Sequence, residues 1–120
     1  MKTAVIVTTY NRSDALAVVL KGYCGQSDQT FDLIVADDGS REETAEVVRQ
    51  FSRRARFSIL HVWQEDHGFR AAAVRNRALA STSADYVIFT DGDCVPSRHF
   101  VQVHKQLAEP GYFLGSNRVL

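Results

Sequence analysis

Four apolar, β-branched runs divide the chain: TAVIVTT (3–9), FDLIVAD (31–37), FSILHVW (57–63) and DYVIFTD (85–91). Each is of strand length and nearly continuous in its hydrophobicity, the pattern of parallel strands covered on both faces. A helical pattern follows each run, which supplies the long crossovers that parallel neighbours require. The chain therefore reads β-α-β-α-β-α-β-α, followed by a short strand-like piece, YFLGSNRVL (112–120). Alternation of this kind implies an α/β fold with a parallel sheet, right-handed crossovers and helices on both faces. The expected strand order is about 3-2-1-4. Ligands in such sheets bind beyond the carboxyl ends of the strands where the winding reverses, here the gap between strands 1 and 4.

The helices carry their own signals. In the first, Leu16, Val19, Leu20 and Tyr23 recur at spacings of three and four, with Ser13 placed to cap its start. In the second, Ser40 followed by Glu43 reads as a capping box. Its acids Glu42, Glu43 and Glu46 come early and its bases Arg49, Arg53 and Arg54 late, as the helix dipole favours. That placement accounts for the arginine cluster without nucleic acid. A third helix is expected over GFRAAAVRNRALAS, and a fourth from Pro96 or Ser97 to a stop at Pro110-Gly111.

At 120 residues the chain is expected to be one domain, 1–120, without repeats or linkers. Lys+Arg and Asp+Glu both number 14, so no excess of positive charge invites nucleic acid. No apolar stretch approaches the roughly 20 residues of a transmembrane helix, although peripheral membrane association stays open. MKTAVIVTTYNR runs into polar residues rather than a small-residue cleavage site, so no signal peptide is expected. Cys24 and Cys94 form no CxxC pair, which fits free thiols and a cytoplasmic location. The four histidines have no zinc spacing. The chain contains no GxxxxGK[ST], no GxGxxG after strand 1 and no GxSxG.

Function becomes visible at the strand ends. They read TTYNR, ADDGS, QEDHGFR and TDGDC, and all four would open onto one rim. Taken alone, Asp37-Asp38-Gly39-Ser40 or Asp91-Gly92-Asp93 could be only a turn. Together on one rim they point to a ligand. Two carboxylates a few ångströms apart repel by roughly 4 kcal/mol at an effective dielectric near 20, so they share a proton or bind a cation. An oxygen-only donor set suits Mg²⁺ or Mn²⁺, which complete their shells with water and substrate phosphates. Cationic partners for those phosphates are Arg70, Arg75 and Arg77. Arg70 and Arg77 can share a helix face, whereas Arg75 points elsewhere.

In VIVTTYNR, IVADDGS, GFRAAAVRNRALA and YVIFTDGDCVP, in that order, the chain resembles a family 2 glycosyltransferase. WQEDHGFRAAAVRN further resembles the bacterial branch with chondroitin-polymerase-like and galactosyltransferase-like enzymes. The resemblance implies the Rossmann-like, nucleotide-binding half of a GT-A fold. It also implies an enzyme that transfers a sugar, with inversion, from a nucleotide diphosphate donor, usually a UDP-sugar. The acceptor would be a hydroxyl of a saccharide or lipid-linked molecule, in polysaccharide or glycoconjugate synthesis. Carried over residue by residue, Thr8 and Tyr10 line the nucleoside, with Tyr10 against the uracil. Asp38 bonds the base, and Arg70 lies beside base and diphosphate. Asp91 and Asp93 match the DxD motif, Asp93 for direct metal contact and Asp91 for ribose or metal-bound water. Arg75 and Asn76 match the family's RN pair without a settled role.

Family members continue beyond this length, with base and acceptor pocket in the later part, so a donor-binding portion without the acceptor side is expected. Glu65 and Asp66 are the other acids near the rim, and neither is assigned as base. Two rival functions share parts of the pattern. A receiver-type phosphoacceptor module carries its acidic pair at the end of strand 1, where this chain has TTYNR. A nucleotidyltransferase carries a glycine-rich basic loop there, and TTYNRSD has no glycine. Cys94 and Trp63 read as packing residues and His67 as a solvent-facing loop residue.

Overall fold

The computed structural model describes residues 1–108. The strand-like piece expected over 112–120 and the stop at Pro110-Gly111 lie outside the described residues. Eight elements alternate as expected: β1 (Thr3–Thr9), α1 (Ser13–Cys24), β2 (Asp32–Asp37), α2 (Glu42–Arg54), β3 (Ile59–Trp63), α3 (Ala71–Ala80), β4 (Tyr86–Asp91) and α4 (Phe100–Leu107). The sheet is parallel in the order β3-β2-β1-β4.

Alternate residues of β1 and β2 divide the core in two. Val5, Val7, Leu33 and Val35 point to one face, where α1, α2 and the start of α4 bring Leu20, Val48 and Val101. Ala4, Ile6, Ile34 and Ala36 point to the other, against Val74 and Ala78 of α3. Alanines on both sides of that second interface let α3 sit close to the sheet. Full cover on both faces is reached only by the two central strands. Leu60 on β3 and Phe89 on β4 are each 45% exposed, because among the described residues these are the edge strands and the one helix on that face, α3, lies mainly over β1 and β2.

Three helix starts differ from expectation. Ser13 is the first residue of α1, preceded by Arg12 without a side-chain cap. The capping box at α2 does not form; the helix begins at Glu42, and the Ser40 hydroxyl accepts a hydrogen bond from the Asn11 N–H instead (2.8 Å). The charge gradient of α2 does hold, with Arg49 paired to both Glu42 and Glu46. α4 begins at Phe100 rather than at Pro96 or Ser97. Buried Gln26 explains the delay: its amide donates to the Ser97 carbonyl (2.7 Å) and accepts from the Val101 N–H (3.0 Å), holding the intervening turn against the end of α1.

The close α3 contact is testable. Ala78→Leu, fully buried beneath α3, should lower the unfolding free energy by about 1–3 kcal/mol through overpacking. Ala72→Leu, on the exposed side of the same helix, should change it by under about 0.5 kcal/mol. Urea unfolding of the two variants makes the comparison.

Candidate functional site

The winding reverses at β1, and there the carboxyl ends of β1, β2 and β4 open onto a cleft of about 220 Å³. Its walls include Thr8 and Tyr10 from β1 and the residue after it, Asp38 after β2, and Asp91 and Asp93 at the end of β4. Five residues expected at the site thus meet in one place. Val74 of α3 forms part of the lining.

The DDGS turn divides its two acids between structure and site. Asp37 is fully buried; one oxygen accepts from the Ser40 N–H (2.9 Å) and the other meets His61 Nε2 (2.8 Å). Asp38 faces the cleft while almost wholly buried. Its Oδ1 accepts from the Gln64 side-chain amide (2.7 Å) and its Oδ2 from the Arg70 backbone N–H (2.6 Å). A buried carboxylate with one charge-assisted bond on each oxygen is held in a fixed orientation, and each oxygen keeps further acceptor capacity for a ligand. Between the strand ends runs a second set of bonds. Asn11, at φ 47°, accepts from the Arg41 N–H (2.9 Å), and the Trp63 indole donates to the Ser40 carbonyl (3.0 Å). Trp63 is therefore a rim residue.

Two glycines are required by close approach. Gly39 adopts φ +97°, and a Cβ there would lie 2.6 Å from the Asp66 backbone. Gly92 donates its N–H to the Thr8 carbonyl (2.6 Å), and a Cβ on it would stand 2.5 Å from that oxygen. The Thr8 hydroxyl donates to Asp91 Oδ1 (3.1 Å), so backbone and side chain together press the DGD turn onto the end of β1.

Asp91, Asp93 and Cys94 each offer a ligand atom, all within 4.8 Å of one another. The two carboxylates are exposed and carry the hard oxygen donors that Mg²⁺ or Mn²⁺ prefer. The Cys94 sulfur lies 3.5 Å from Asp93 Oδ1 and is half-buried, consistent with packing beside the turn. The donor set fits a divalent cation that keeps water and phosphate oxygens in the rest of its shell.

Arg70 adjoins the cleft without lining it. Its backbone N–H is bound by Asp38, and the residue lines a separate groove of about 560 Å³ with Gln64, His67 and Arg77. Arg70 precedes α3 rather than sharing a helical face with Arg77, but both line that groove. Arg75 and Asn76 line neither opening. Within the cleft the guanidinium is that of Arg12, held more firmly protonated by its bond to Asp14, with the charge of Asp93 adding to the effect. Sequence reading placed Arg12 on the rim without giving it a role. It passed over Gln64 and Phe69 altogether. Neither breaks a pattern: a glutamine after a strand and a phenylalanine before a helix are ordinary until their neighbours in space are known.

The Tyr10 hydroxyl donates to Asp66 Oδ2 (2.6 Å). That bond raises the phenol pKa and, with the Gly68 N–H, lowers the carboxyl pKa. The contribution of Asp66 is present above its unfolded pKa and is lost as pH falls through its lowered folded value. That of Tyr10 is present below its unfolded pKa and is lost as pH rises through its raised folded value. Absorbance titration, with Tyr10→Phe subtracted, should show the Tyr10 midpoint above the ordinary value of about 10. Asp66→Asn should bring it back.

A family model described as "Glycosyl transferase family 2" matches residues 4–118. Chondroitin synthase of Escherichia coli is 37% identical over 105 residues, 87% of this chain and 15% of that protein. Hyaluronan synthase of Pasteurella multocida is 36% identical over 107 residues, 88% of this chain and 11% of that protein. The chain thus spans only a small part of the length of these relatives. Among solved structures, S. aureus TarS 1-349 in complex with UDP-GlcNAc superposes with a TM-score of 0.78 at 26% identity, over 88% of this chain and 30% of that one. Mannosyltransferase PcManGT from Pyrobaculum calidifontis, in complex with GDP-Man and Mn²⁺, gives 0.77 at 24% identity, over 91% and 33%. The fold is that of GT-A glycosyltransferases.

Proposed function

The chain belongs to glycosyl transferase family 2, and from that premise we propose that its 120 residues form the donor-binding domain of a metal-dependent, inverting glycosyltransferase. The donor is a UDP-sugar, and the acceptor a hydroxyl of a saccharide or lipid-linked molecule in polysaccharide or glycoconjugate synthesis. The observation that carries this reading is the meeting of buried Asp38 with Asp91 and Asp93 around one cleft at the point where the sheet reverses. The UDP-GlcNAc held by the related TarS fold supports the choice of donor. Family membership also favours sugar transfer over the receiver and nucleotidyltransferase readings.

Each residue has a task set by its surroundings. Thr8 and Tyr10 line the nucleoside, and Asp38, oriented by Gln64 and the Arg70 N–H, accepts from the base. Asp93 would hold the cation, while Asp91, tied to Thr8, would take the ribose or support the cation through water. Mg²⁺ or Mn²⁺, when bound there, supplies Lewis-acid neutralisation of the diphosphate leaving group. Arg12 adds a fixed positive charge on the same wall, and Arg70 acts through its backbone. Inversion follows from attack by the acceptor hydroxyl on the anomeric carbon, opposite the departing UDP, with a carboxylate taking the proton. No described residue is assigned as that base.

Among the described residues no helix is long and apolar enough to cross a membrane. A cytoplasmic location is supported by the free thiols Cys24 and Cys94.

Calorimetric titration of the chain with UDP tests the reading. Affinity should be at least about tenfold higher with Mn²⁺ than in chelator, a difference of 1.4 kcal/mol or more. Asp93→Ala should abolish the metal-dependent part. Equal UDP binding with and without metal, or no preference for UDP over nucleoside triphosphates, would overturn it.

A further inference from the structure

Phe69 is 94% exposed, further into solvent than any other large apolar side chain among the described residues; Met1 follows at 67%. An aromatic ring gains free energy by leaving water, so a ring held out this far calls for a reason. Its position is not that of a free tip. The segment from Gln64 to Arg70 is fastened at three points: Gln64 bonds both Asp38 and the Arg70 carbonyl, Asp66 takes the Tyr10 hydroxyl, and the Arg70 N–H is bound by Asp38. The Asp66 backbone also fits against Gly39 so closely that a Cβ there would collide with it. Gly68, at φ +85° with nothing within 4 Å of a Cβ position, turns the chain outward just before the ring. A backbone shift that drew Phe69 inward would disturb the bonds that orient Asp38.

Phe69 lines the same cleft as Tyr10 and Asp38. The next residue's N–H is on the Asp38 carboxylate, so the backbone that carries the ring is anchored at Asp38. Tyr10 is tied to Asp66 of the same segment, so both aromatic side chains ride on one bonded unit.

From this geometry we infer that Phe69 is an aromatic plate on which the nucleobase of the donor stacks, supplying affinity while Asp38 and its bonds supply the choice of base. This rests on the donor-binding reading above. Stacking on an aromatic face is tolerant of base identity because every base presents a π-face, so the two contributions separate in experiment.

The test is calorimetric titration, with Mn²⁺ present, of wild type, Phe69→Ala, Phe69→Leu and Phe69→Tyr. The ligands are UDP, CDP and inorganic pyrophosphate. Melting temperatures should match, since the ring is in solvent. Phe69→Ala and Phe69→Leu should bind UDP about tenfold more weakly, Phe69→Tyr as wild type. The UDP-to-CDP ratio and the pyrophosphate affinity should stay unchanged in all four. Unaltered UDP affinity in Phe69→Ala, as expected if the ring meets a polypeptide surface, would overturn the inference alone. Equal loss for pyrophosphate, or wild-type affinity in Phe69→Leu, would also do so. A wild type that binds pyrophosphate but gains nothing from the uridine would overturn both this inference and the donor reading.

Discussion

β1 is hydrogen-bonded to β2 on one side and β4 on the other, and α1, which leads from β1 to β2, packs on the opposite face of the sheet from α3, which leads from β3 to β4. Register then fixes what meets at its end. Thr8 stands level with Ala36 and with Asp91, and Thr9 with Asp37. Because all strands run the same way, every polar strand end arrives on one side, and the change of winding leaves space between them. The acids are brought together by backbone pairing among buried valines and isoleucines, far from the charges themselves. The hydrophobic effect thus works against the repulsion of Asp38, Asp91 and Asp93 by burying strands whose ends they occupy.

That arrangement gives different acids different freedoms. Asp37 is locked by Ser40 and His61 beneath the rim, and Asp38 is oriented by two donors at the edge of the cleft. Asp91 and Asp93 remain exposed on a turn pressed against Thr8. An oriented, buried carboxylate discriminates among hydrogen-bond donors, because a ligand lacking the right one leaves it poorly satisfied. An exposed pair on a tight turn is suited to a cation that brings its own water.

The strands were legible because their β-branched runs are continuous and separated by helical periods; order 3-2-1-4 was expected as one of the doubly wound orders that right-handed crossovers allow. Helix starts were less so. Ser40 and Glu43 have the spacing of a capping box, but the Asn11 N–H competes for the Ser40 hydroxyl, and local spacing says nothing of a partner on another strand. Asp38, Asp91 and Asp93 were accessible as polar ends of apolar runs, whereas Thr8 and Tyr10 came from the family resemblance. That Arg70 meets Asp38 through its backbone N–H rather than its guanidinium was not legible, because sequence pattern shows side chains and not backbone donors. Gln64 could be found only by tracing what holds Asp38 in place.

The three fastenings between Gln64 and Arg70 make the length of that connection an invariant of the architecture. Side-chain chemistry at His67 and Phe69 can change without touching these bonds, whereas Gly68 is held to glycine by its φ of +85°. Adding or deleting a residue there would slide Gln64 or Arg70 off Asp38 and disorient the carboxylate. Diversification along this rim is thereby channelled into side-chain identity, and insertions must be accommodated on other connections of the sheet.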